Sequence, residues 1–192
     1  MITRDQAWKL LTEKMQNQNL RRHCLSVEAV MRALAKHLNP NYSPKLVEGW
    51  GIVGLLHDGD YEFTKGDPAN HAKLMANWVR DLGETDQELL EGIESHGWFH
   101  QGKFPQTQMQ WALFCCDELT GLIVACALVQ PTKKLADLSI ESILKKFPQK
   151  SFAAGAKRED IAMCEAQLGI KLEDFVKISL SAMESIAHEI DL

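Results

Sequence analysis

Apolar positions recur at helical spacing almost from one end of the chain to the other, and no stretch keeps a period-two alternation. Thr3 and Gln6 have the spacing of a capping box ahead of an amphipathic stretch reaching about residue 18. A second helix is predicted from about Leu20 to Leu38, with Leu20, Val27, Val30, Met31, Leu34 and Leu38 as its apolar stripe. The run NPNYSP breaks it. Ser43 and Pro44 then supply an N-cap and a first-turn proline for a third helix that reaches His57 and stops at Gly59. Residues 59–68 (GDYEFTKGDP) read as a polar loop. A fourth helix is expected over about 69–81. A fifth is opened by Thr85 and Glu88 and ends near Gly97. After a loop at 97–106 comes a long helix, about 107–129, closed by Pro131. The remainder predicts a short helix within 132–155, flanked by Pro148 and Gly155, and two more over 157–167 and 172–190, separated by Gly169. The last has an apolar stripe of Phe175, Ile178, Leu180, Met183 and Ile186, which is expected to face the chain's own core rather than a dimer seam. The oligomeric state is left open.

The expected fold is therefore all-α. A soft boundary near residue 131 divides a helical domain, 1–131, from a helical cap or extension, 132–192, packed on the same core. At 192 residues and 45% hydrophobic composition the chain can bury a core without staples. The five cysteines, Cys24, Cys115, Cys116, Cys126 and Cys164, fit that picture. Their number is odd and no CxxC pair occurs, so they read as reduced, small core residues. The formal net charge is −5 and no Lys/Arg block is present, which argues against an extended nucleic-acid surface but leaves room for a small phosphate pocket. The opening MITRDQAWKLLTEKM lacks the apolar centre of a signal peptide, and the longest uninterrupted apolar run, Leu122 to Val129, is too short to cross a bilayer. A cytoplasmic protein with no membrane partner is the expectation.

Chemistry concentrates in the first two thirds, where six of the seven histidines precede residue 101. His23 shares the buried stripe of its helix, with Val27, Val30 and Leu34 at helical offsets. Asp117 sits likewise on the long helix, on the face of Phe114, Gly121 and Val124, and Gly121 leaves room beside it. A carboxylate on an apolar face needs a partner or a cation, because an unpaired buried charge is too costly. His57 and Asp58 end the apolar run IVGLLHDGD, where a fraying helix end lets neighbouring side chains converge. His96 also ends a helix, directly before Gly97. Imidazole nitrogens and carboxylate oxygens in this combination suit Mn, Fe, Co, Ni or Zn.

The order His, His-Asp, His, Asp, each at a helix face or end, resembles the H…HD…D signature of the HD-domain superfamily of metal-dependent phosphohydrolases. The matching segments are RRHCLSVEAVMRALA, WGIVGLLHDGDYE and ALFCCDELTGLIVA, spanning about residues 20–130. LLHDGDYE, DELTGLIVA and KSFAAGAKRE also resemble a bacterial subgroup described only as predicted hydrolases. The resemblance implies an HD-type helical bundle in which His23, His57, Asp58 and Asp117 bind one divalent metal, with Mg added to the ions above. His71 and His96 match the positions that two-metal members add. Gly97 stands where such members often carry a second histidine, which leaves a second ion open, and His100 is an alternative ligand in the following loop.

The implied reaction is hydrolysis of a small phosphomonoester or phosphodiester, a nucleotide among the candidates, by a metal-activated water. Asp58 and Asp60 are the expected catalytic carboxylates, with Asp60 or Glu62 orienting or deprotonating the water. Arg22, Lys73, Lys150 and Arg158 are the expected phosphate-binding cations. Tyr61, Phe63, Trp98 and Phe99 in the flanking loops are expected to pack rather than to stack on substrate. Two other classes remain open: a di-iron oxygenase on the same fold, and a non-catalytic helical module clamped by its metal.

Overall fold

A computed structural model describes all of residues 1–192 and is helical throughout, with no strand. Side-chain caps set half of the twelve α-helix starts. Thr3 and Gln6 form the capping box of α1 (Arg4–Lys14). This helix ends earlier than its periodicity predicts, because Arg21 takes two of its terminal carbonyls, Met15 O at 2.6 Å and Thr12 O at 2.7 Å. Asn17 then caps α2 (Gln18–Leu38), and Ser43 caps α3 (Pro44–Leu56) with Pro44 in its first turn.

The predicted loop 59–68 is more ordered than expected. It holds one helical turn, α4 (Tyr61–Thr64), followed by a 3₁₀ turn at Pro68–Asn70. Helix α5 is correspondingly shorter than predicted (Lys73–Asp81). The start of α6 (Gln87–Glu94) is capped by Asp86 rather than Thr85, since buried Glu84 already accepts the Thr85 and Asp86 N–H groups. A 3₁₀ turn at Ser95–Gly97 leads into α7 (Trp98–Gln101), which Gly102 ends in a left-handed conformation. Thr107 and Gln110 form the capping box of α8 (Gln108–Leu128). The chain finishes with α9 (Ile140–Lys146), α10 (Arg158–Leu168), α11 (Leu172–Glu184) and α12 (Ala187–Ile190). The stretch predicted as one helix, 172–190, is thus broken around Ser185 and Ile186.

One hydrophobic cluster runs from Ile2 to Leu192, so helices on both sides of residue 131 share a core. Helix α2 lies along α3 and also meets α8 and α11, while α10 lies along α8. Phe175 and Met183 of the last long helix are fully buried, Leu180 nearly so, with Ile178 and Ile186 at the core's edge. All five cysteines are free and buried. Helix α8 is long and apolar enough to cross a membrane by length and composition, with mean hydropathy 1.7 over 18 residues, a property that the short run Leu122–Val129 understates. Its apolar side chains line the core.

The α2–α3 crossing does most to position the chemistry. A Cβ on Gly54 would stand 2.9 Å from the Val27 carbonyl oxygen, so only glycine allows this approach. Val27 lies one turn after His23 and Gly54 one turn before His57, and the close crossing brings the two histidines together.

Arg158 has a role in the fold that its sequence does not announce. Only 7% exposed, it donates to the carbonyls of Phe147 at 3.0 Å and Ala153 at 2.8 Å, and also to those of Gln149, Phe152 and Ala156. It satisfies a turn-rich segment that has few backbone partners of its own. Arg158→Ala should therefore lower unfolding stability by about 2–4 kcal/mol in a urea titration. The metal affinity of the folded fraction should not change.

Candidate metal centre

Six side chains from separate parts of the chain converge beside the α2–α3 crossing. His23 comes from α2, His57 and Asp58 from the end of α3, His71 from the turn before α5, His96 from the turn after α6, and Asp117 from the middle of α8. All six of the expected ligands are therefore brought together.

The ring orientations are set from behind. His57 is fully buried, and its Nδ1 lies 2.7 Å from the Gly54 carbonyl oxygen. A carbonyl can only accept, so Nδ1 carries a proton and Nε2 is the nitrogen turned toward the cluster. That nitrogen faces His23 Nε2 at 3.3 Å, Asp117 Oδ1 at 3.5 Å and Asp58 Oδ2 at 4.0 Å. His23 Nε2 is 2.9 Å from the same Asp117 oxygen, and its Nδ1 is 3.4 Å from the Thr120 hydroxyl. Lone pairs facing one another in this way need a proton or a cation among them.

His71 is held by a carboxylate. Its Nδ1 donates to Asp60 Oδ1 at 2.8 Å, and Asp60 Oδ2 accepts the Met75 N–H at 2.8 Å. Asp60 thereby supplies the cap that α5 lacks at Ala72, a buried residue with φ +66°. Strained backbone of this kind persists where its surroundings over-determine it. His71 Nε2 then lies 3.2 Å and His96 Nε2 3.1 Å from Asp58 Oδ1, with His96 Nδ1 3.7 Å from Asp117 Oδ2. Asp58 thus offers one oxygen to the His23–His57 side and the other to the His71–His96 side.

The donor set fits a divalent cation. Three overlapping groups each place their ligand atoms within 4.8 Å of one another: His23, His57 and Asp58; His57, His96 and Asp117; and Asp58, His71 and His96. Ligand bonds of about 2.0–2.2 Å place neighbouring ligand atoms about 3.0–3.5 Å apart, close to the spacings seen here. Backbone and carboxylate partners on the distal ring nitrogens are the usual support for histidine ligands.

With only protons to balance the carboxylates, the charges couple strongly. Burial acts against the Asp117 carboxylate, but hydrogen bonds from His23 and His57 outweigh it and hold Asp117 well below the usual range. Asp58 is depressed in the same way through His71 and His96. Burial likewise acts against protonated His71, yet its bonds to Asp58 and Asp60 raise it from 6.5 to about 9. His96 is also raised, burial again being outweighed by Asp58.

Other expected site residues lie elsewhere. Asp60 is fully buried behind His71, where it positions that ring and is shielded from the open side. Glu62 accepts the backbone N–H groups of Gln16 and Asn17, tying down the α1–α2 junction. Arg22 pairs with Asp191 at 3.1 Å in a separate cavity on the Thr120 side of His23. Gly121 lines that cavity too, and a Cβ there would meet open space. Lys150 is exposed and paired with Glu159 at 2.8 Å, Lys73 is exposed at the start of α5, and Arg158 serves the fold.

The aromatics follow the packing expectation in part. Phe63 meets Trp78 edge-on, and Trp98 packs against Phe99, Phe104 and Phe114, while Tyr61 stands edge-on to His71 at 6.1 Å. Phe99 remains largely exposed. A cavity of about 190 Å³ opens on the cluster past His71, His96 and Asp117. His100, Glu118, Lys157 and Asp160 stand on its outer wall. Lys157 and Asp160 arrive there because α10 packs along α8, a tertiary contact with no local signature; Glu118 had one, as the neighbour of Asp117.

Comparison of the chain with known protein families, with curated proteins and with solved structures finds no match.

Three outcomes follow from this geometry. A cation must displace the proton on His71, so metal affinity should rise with pH up to about 9, with proton release visible by calorimetry in buffers of differing ionisation enthalpy. In chelator-treated protein the sign reverses. His71's contribution to stability is complete below its ordinary value of 6.5 and is lost as pH rises through about 9. Asp60→Asn should weaken metal binding about 10- to 100-fold, and unchanged affinity would show that Asp60 only caps α5.

Proposed function

We propose that this chain is a metal-dependent phosphohydrolase of the HD type. The observation that carries the reading is the division of Asp58, whose Oδ2 stands with His23 and His57 and whose Oδ1 meets His71 and His96. His23, His57, Asp58 and Asp117 would hold one ion, and His71 and His96 would share Asp58 with a second. A divalent cation bound there would acidify a water and polarise a phosphoryl oxygen.

The chain's own residues would do the rest. His57, fixed through Gly54, and His71, fixed through Asp60, keep their Nε2 atoms aimed into the centre without reorganisation. The partly buried setting of the two carboxylates, whose side chains are 14% and 19% exposed, strengthens each interaction within. Asp58 and Asp117, as ligands, would be poor bases, and Asp60 is turned away behind His71, so the proton lost by the attacking water would pass to solvent in the open cavity, whose wall carries the carboxylates Glu118 and Asp160. Lys157, on the cavity wall, is the cation best placed to meet a phosphate oxygen, and it replaces Arg22, Lys73, Lys150 and Arg158 in that role.

One observation favours a second reading. Four histidines surround two carboxylates, a nitrogen-rich set that also suits a pair of irons and oxygen chemistry. Metal content separates the two: two irons per chain with an EPR signal supports the oxygenase, and Mn, Mg, Ni or a single ion supports the hydrolase.

Asp58→Ala should reduce metal-dependent phosphatase turnover to background while circular dichroism still reports a folded helical protein. Unchanged turnover would remove Asp58, and with it the hydrolase assignment.

A further inference from the structure

The cavity on the open side of the centre is small. Its volume of about 190 Å³ is below the roughly 300–1,000 Å³ of a site for a drug-sized ligand. Its outer wall is sparing with positive charge. Apart from the histidines, its charged groups beyond the proposed ligands are one ammonium, Lys157, and two carboxylates, Glu118 and Asp160.

Lys157 is held at the junction of these groups. Its backbone N–H donates to Glu118 Oε2 at 3.0 Å, and its Nζ lies 3.9 Å from Asp160 Oδ2 and 5.8 Å from the Phe99 ring centre. One cation so placed can meet one anionic group. A second anion reaching outward along the wall would face Glu118 and Asp160, and the like charges would repel it.

The same carboxylates are good acceptors for hydroxyl groups. Trp98 and Phe99, packed edge-on at 5.6 Å, border the cavity as an apolar shelf on which the C–H face of a small ring or polyol can rest.

Resting on the phosphohydrolase reading, we infer that the centre takes a compact ester with a single phosphate and a hydroxylated alcohol part, and turns away substrates bearing a second phosphate. Glycerol and sugar monophosphates fit this description, whereas sugar bisphosphates and nucleoside triphosphates do not. Lys157 guides the phosphate, and Asp160 with Glu118 sets the selectivity.

The test compares kcat/KM of the full-length, metal-restored protein on sugar monophosphates and on the same sugars carrying two phosphates. The expected preference for the monophosphate is about tenfold or more. Asp160→Asn should narrow that gap by improving the bisphosphate, and Lys157→Gln should raise KM for the monophosphate with a smaller change in kcat. A preference for bisphosphates that Asp160→Asn leaves unchanged overturns the inference and keeps the hydrolase reading. Binding of the same pairs, measured by calorimetry on the metal-loaded protein, separates the opposite failure. Monophosphate-selective binding with no turnover overturns the hydrolase reading and keeps the charge selection, and binding of neither ester overturns both.

Discussion

Two carboxylates, Asp58 and Asp117, are set into a helical core, and the arrangement around them follows from the cost of burying charge. Neither has a lysine or arginine partner; each is met by imidazoles alone. An uncompensated carboxylate at such depth would be neutralised or expelled. Four histidines from different parts of the chain are therefore drawn toward one point, and the helices carrying them must cross where they do. The Gly54–Val27 approach between α2 and α3, the strained turn at Ala72 and the cap that Asp60 provides for α5 all serve this convergence.

The centre is asymmetric in its support. On the His23–His57 side, groups on long helices hold the rings, the Gly54 backbone carbonyl for His57 and the Thr120 side-chain hydroxyl for His23. On the His71–His96 side the rings come from short turns, and a buried carboxylate does the holding. While the first side meets the cavity of Arg22 and Asp191 at His23, the second is built with less regular structure and borders the cavity of about 190 Å³. Residues from the C-terminal stretch complete that cavity, since Lys157 and Asp160 reach it from α10.

The helical class and most helix boundaries were legible in the sequence because periodicity and caps are local. Thr3 with Gln6, Ser43 and the left-handed Gly169 mark their ends within a few residues. The histidine–aspartate cluster was legible because His23 and Asp117 stand on apolar stripes where a polar group needs a reason. What failed was everything decided by distant contacts. Asp60 looks like a solvated loop carboxylate, but the 59–68 segment folds back and buries it behind His71. Arg158 looks like a surface cation, yet a turn-rich segment needs its five hydrogen-bonding directions. Lys157, one residue earlier, carries no local sign that α8 will bring it to the cavity. Arg22 adjoins a ligand in sequence, but the helical turn points it into a different cavity, toward Asp191.

The claim on which the account stands is that a cation, rather than shared protons, balances Asp58 and Asp117. Anomalous diffraction from crystals of the protein grown with Mn would test it most directly. An anomalous peak bounded by His23 Nε2, His57 Nε2, Asp58 Oδ2 and Asp117 Oδ1 is expected, with a second peak, if two ions bind, beside Asp58 Oδ1, His71 and His96. No anomalous density at saturating Mn, with the histidine–carboxylate contacts still closed at their present distances, would contradict it.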